Sequence, residues 1–160
     1  MPPLELTPPS VWEADHNEIL NLAEEFIKTD SDFKTATLAS KWGKGNNLLY
    51  QHFTNKNEIM SQLVVRFYNK LTEAISAGED IDNYLARQTL SLKDAIELTI
   101  RVKWPYRTSF SPASFVNEIS KARDEAFSAY IQYTKEPDEL AEQNWYIRVG
   151  FAACEAMDVL

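Results

Sequence analysis

The sequence has one cysteine, Cys154, so no disulfide can close within the chain and no cysteine-built zinc site can form. Glycine is nearly as scarce. The four that occur, at 43, 45, 78 and 150, cannot supply the glycine-rich phosphate loops of P-loop or Rossmann enzymes, which excludes those nucleotide-binding classes. There are two histidines. His16 has no histidine or cysteine at ligand spacing, which predicts a surface position and no metal. Long apolar runs are missing, so no membrane span is expected. The opening MPPLELTPPS lacks the basic-then-apolar order of a signal peptide, and a reducing, cytoplasmic setting is the expectation. Val, Ile and Thr do not alternate over any strand-length window, which argues against a sheet. Internal repeats and low-complexity tracts are also missing.

What is present is the composition of a globular protein. The chain has 160 residues, 44% of them apolar and 25% charged. That is enough for one domain, or for a small module joined to a larger one. The net charge of −8 is unevenly spread. Residues 1–32 hold eight acids and one lysine, whereas residues 33–70 hold six bases (Lys34, Lys41, Lys44, Lys56, Arg66, Lys70) against Glu58 alone. A basic island in an acidic chain points to a local surface for a polyanion, or to a chance run on a solvated face.

Helical periodicity dominates. Ser10 and Glu13 form a capping-box pattern, which predicts a first helix carrying Trp12, Ile19, Ala23, Phe26 and Ile27 on one face and stopping at Thr29–Asp32. A short helix follows from Thr35, read as its N-cap, to Lys41, with Gly43 placed to end it in a left-handed conformation. A second runs from Gly45 or Asn46 to His52. Asn55 and Glu58 can cap a long helix with Ile59, Leu63, Phe67, Leu71 and Ile75 at four-residue steps, ended by Gly78. Beyond it, helices are expected over residues 80–88, 91–103, 111–133 and 138–160, with Ser111-Pro112 opening the third of these.

The segment 33–56, FKTATLASKWGKGNNLLYQHFTNK, holds two short helices around a glycine turn, the pattern of a helix-turn-helix. Ala39 is small where the helices cross, and Leu38, Trp42 and Leu49 make an apolar triangle. Positions 46, 47, 50 and 51 share the opposite face of the second helix, where Asn46, Asn47 and Gln51 are side chains that pair with adenine edges. The stretch Leu38-Ala39-x-x-Trp42-Gly43-x-x-x-x-x-Leu49-Tyr50-x-His52-Phe53-x-x-Lys56 resembles the TetR-type transcriptional regulators, and the likeness runs from the first helix to about Ala77. Two departures fall at the turn. Lys44-Gly45 stands where that family usually has Val-Ser, and Asn47 where it often has glycine.

The resemblance implies an all-α fold with a DNA-binding domain over residues 1–54, a connecting helix over 55–77, and a ligand-binding and dimerisation domain over 55–160. It implies double-stranded DNA as partner, a homodimer through the last two helices, a small-molecule effector, mostly repression, and no catalysis or cofactor. Asn46, Asn47 and Gln51 are then expected at the bases, with Thr35, Tyr50, His52 and Lys56 on the backbone, and Lys44 and Gly45 in the turn between them. For some of these, a second role stays open. Tyr50 reaches a phosphate with its hydroxyl or is only core, and His52 donates to a phosphate or flanks Phe53 on the exposed face. Lys44 is a phosphate contact or a solvated charge.

Arg101, Trp104, Tyr106, Phe110, Tyr130 and Trp145 are candidates for an apolar effector cavity with a cationic rim, or simply for core. The last helix gathers Gly150, Ala152, Ala153, Cys154 and Ala156, which suits close helix packing, with Ile147, Phe151 and Cys154 as its apolar stripe. No Ser-His-Asp, Cys-His or paired-carboxylate arrangement favours an enzyme. The alternative to a regulator is an interaction protein of the same fold that has lost DNA binding.

Overall fold

The computed structural model describes residues 9–29, 33–103 and 113–159. These form α1 (Pro9–Thr29), α2 (Thr35–Trp42), α3 (Asn46–His52), α4 (Lys56–Ser76), α5 (Ile81–Ala86), α6 (Leu92–Lys103), α7 (Ala113–Tyr133) and α8 (Asp138–Val159). Among the described residues there is no strand, and the fold is all-α. The chain divides into two compact units, one ending at Lys56 and the other starting at Asn57.

In the first unit α1 packs on α2 and α2 on α3. Ile19, Ala23 and Ile27 are buried from α1, and Leu38, Ala39, Trp42 and Leu49 from the two short helices. Two expected caps are displaced. The first helix already includes Pro9, so Ser10 lies inside its first turn and is not the N-cap. In α2 the N-cap is Lys34, extended at φ −97° and ψ 136°, and Thr35 is the first helical residue. An N-cap needs extended dihedrals before it needs an oxygen on its side chain, and here the backbone turns one residue earlier.

In the second unit α4 buries Ile59, Leu63, Phe67, Leu71 and Ile75 along one stripe, as their spacing requires. Gly78, at φ 85°, closes the helix, its N–H donating to the Ile75 carbonyl at 3.0 Å. Asp80 caps α5 by accepting from the Asn83 N–H. At the start of α6, Ser91 and Asp94 cap reciprocally. The Asp94 N–H donates to Ser91 Oγ at 3.1 Å, and the Ser91 N–H to Asp94 Oδ2 at 2.9 Å.

Helices α6, α7 and α8 pack against one another. Ile119, Ala122, Ala126 and Tyr130 face inward from α7, and Ala141, Trp145, Ala152 and Ala156 from α8. Of the small residues of α8, Ala152 and Ala156 therefore serve packing inside the chain, while Gly150 lies with Ile147, Phe151 and Cys154 on its exposed side. The expected opening at Ser111-Pro112 lies outside the described residues. Among those described, no helix is long and apolar enough to cross a membrane, and no group of three or more His, Cys, Asp or Glu is placed to hold a metal.

Two leucines of the first unit give a test of this packing. Leu38 is fully buried, whereas Leu48 is 37% exposed. Leu38→Ala should cost about 2–5 kcal/mol in urea denaturation, and Leu48→Ala less than about 1 kcal/mol. Equal losses would show that Leu38 is not in a packed core.

Candidate nucleic-acid interface

The turn between α2 and α3 depends on its two glycines. Gly43 sits in the left-handed region at φ 84°, ψ 1°, and its N–H donates to the Ala39 carbonyl at 2.9 Å, which closes α2. Gly45, the N-cap of α3, is at φ 95°, ψ 157°, a region that essentially only glycine adopts. Gly45 therefore sets the backbone shape of this turn as well as removing a side chain from it. It also leaves α3 without a side-chain cap bond. Ala36, Ala39, Ser40 and the two glycines line an open hollow of about 320 Å³ beside the turn.

α3 is polar on one side and buried on the other. Asn46, Asn47, Tyr50 and Gln51 are exposed, while Leu49 and His52 are buried. Tyr50 does not belong to the core. It is 51% exposed, with its hydroxyl 3.4 Å from Thr35 Oγ1 at the start of α2. Lys56, the first residue of α4, holds its ammonium 4.9 Å from the Phe33 ring centroid. Lys44 is neither a free phosphate contact nor a merely solvated charge. Its Nζ donates to Asp15 Oδ1 of α1 at 2.6 Å, and this bond keeps the lysine pKa above its ordinary value. Lys34 and Lys41, part of the basic island but not singled out as contacts, are exposed on and beside α2.

His52 corrects the sequence expectation. It is 7% exposed and stacks on Trp12 of α1, with ring centroids 3.6 Å apart. Its Nδ1 lies 3.2 Å from Nδ1 of His16, and the Trp42 ring meets it edge-on. An imidazole enclosed in this way cannot reach a phosphate. Burial first, and repulsion from His16 second, lower its pKa, and Asp15 opposes them. His16 is likewise half-buried, stacked on Phe53, and not a surface residue. The signal was present in the spacing, since His16 follows Trp12 by four residues on the face that also carries Ile19 and Ala23.

Of the effector candidates, Arg101, Tyr130 and Trp145 fall among the described residues. Trp104, Tyr106 and Phe110 lie outside the described residues. Arg101 pairs at 3.2 Å with Glu97, a buried acid on its own helix. Trp145 is core, between Phe127 and Tyr130. Tyr130 lines a cleft of about 380 Å³ shared with Tyr133, Glu136 and Arg148. There its hydroxyl donates to Glu136 Oε2 at 3.2 Å, and burial raises its pKa.

A Cβ on either Gly45 or Gly150 would meet no atom within 4 Å, so backbone conformation alone sets the cost of adding one. Gly45→Ala should destabilise by about 1–3 kcal/mol. Gly150→Ala, within α8, should stabilise by roughly 0.5–1 kcal/mol. Chemical denaturation of both variants checks the opposite signs.

No protein-family model matches this chain, and no curated protein matches it.

Proposed function

We propose that this chain is a homodimeric, sequence-specific DNA-binding regulator of the TetR type, a repressor released by a small-molecule ligand. The observation that carries the reading is the division of α3: Leu49 and His52 are buried while Asn46, Asn47 and Gln51 face solvent together. Amide side chains on one exposed helix face are the groups that pair bidentately with adenine in the major groove. Thr35 and Tyr50, joined at their hydroxyls, and Lys56 at the start of α4 supply donors for the phosphates on either side. The exposed Lys34 and Lys41 add positive charge to the same unit.

One observation favours the alternative, an interaction protein of this fold that does not bind DNA. The positive charge of the turn, Lys44, is paired with Asp15. Binding to genomic fragments across a salt series separates the two readings, because a regulator loses affinity steeply with salt and an interaction protein binds nothing at any salt. Lys56→Ala should weaken all DNA alike and reduce the salt slope by about one. Asn47→Ala should cost about 1–3 kcal/mol on the preferred site and relax specificity there. Cognate binding unchanged in both variants would remove this face from the interface.

Dimerisation through the last two helices is supported by Leu140, Ile147 and Phe151, which leave α8 47%, 54% and 71% exposed. A two-fold axis would bury this stripe against its own copy and present two α3 helices to two half-sites. Phe151→Asp should convert a dimer to a monomer in sedimentation at micromolar concentration. A parent chain already monomeric there would count against the interface. For the effector, the cleft lined by Tyr130 is the candidate cavity.

A further inference from the structure

We propose that His16 and His52 form a proton-operated latch that holds α3 to α1 at neutral pH and releases it in acid. The two rings belong to different helices, and their Nδ1 atoms stand 3.2 Å apart. A hydrogen bond at that distance needs one Nδ1 with its proton and one without. The neutral pair therefore holds two different tautomers. A proton added to the acceptor Nδ1 removes the lone pair that received the bond and sets two N–H groups against each other.

The surroundings decide which ring resists. His52 is covered by Trp12 of α1 and by Trp42 of α2, and its own neighbour Phe53 is buried. The charged groups facing it are His16 and Asp15 on α1. Asp15 is engaged by Lys44 from the turn, which Glu18 of α1 also attracts. His52 is thus the neutral acceptor, and the carboxylate that could have favoured its charge is shared with a lysine. Because its pKa in the folded chain lies below the ordinary 6.5, the folded state binds fewer protons than the unfolded one. The stability this arrangement contributes is complete above pH 6.5 and is lost as pH falls below it. The latch does not depend on α3 meeting DNA.

The chain has two histidines, so every imidazole signal in a nitrogen-15 NMR titration of the full protein belongs to this pair. At pH 8 one ring should carry its proton on Nδ1 and the other on Nε2. Lowering the pH should protonate His52 on Nδ1, accompanied by loss of α1–α3 nuclear Overhauser contacts between Trp12 and His52. In His16→Gln, which keeps a hydrogen-bonding group but cannot become charged, His52 should titrate in one step displaced to higher pH. Both rings in the Nε2–H form at pH 8 would overturn the proposal without any variant. A His52 titration unmoved in His16→Gln would also overturn it.

Discussion

A helix of seven residues has no stability of its own in water, since isolated helices shorter than about 12–15 residues are marginal even with favourable sequences. α3 exists because one side of it is buried. Leu49 sits with Leu38 and Trp42 in the core, and His52 is clasped between indole rings from α1 and α2. That burial fixes the rotation of the helix about its axis. Asn46, Asn47, Tyr50 and Gln51 are held toward water as the geometric remainder of the packing. Any surface chemistry of α3 is thus set by contacts on its hidden side.

Charge acts locally in the same unit. The chain carries −8 overall, yet at physiological salt charges more than about 8–10 Å apart are largely screened from one another when exposed. The remote acids therefore matter less to the surface around α2 and α3 than a single near neighbour does. Asp15 is such a neighbour. It binds Lys44 directly and biases the buried histidine behind it, so one carboxylate on α1 acts on both the turn and the recognition-like helix.

Much of the architecture could be read from the sequence because it is periodic. The stripe from Ile59 to Ile75, the inward face of α7 and the left-handed Gly43 all follow from local spacing or from one residue's dihedral freedom. Caps were less legible. Ser10 and Thr35 are good capping residues, but each is taken into its helix because the chain begins to turn before it. The reciprocal cap at Ser91 and Asp94 was hidden by an aspartate where the usual pattern has a glutamate or glutamine. The histidines were missed for a different reason. Polar type suggests solvent; the spacing from Trp12 marks His16 as inward, but its pairing with an imidazole 36 residues away is encoded by no local pattern. The effector residues rested on aromatic content and a nearby arginine, and aromatic content does not distinguish a cavity wall from core, as Trp145 shows.

The backbone at Gly45 also bears on which substitutions this turn can accept. With φ at 95° and ψ at 157°, the position favours glycine, so any side chain placed there strains the turn. A serine at 45 is accommodated only at that backbone cost. A valine at 44 would abandon Asp15, leaving a largely buried carboxylate without its cation. Replacing residue 44 alone therefore costs the Asp15 pair and replacing Gly45 alone costs backbone strain, so positions 15, 44 and 45 respond to substitution as one unit.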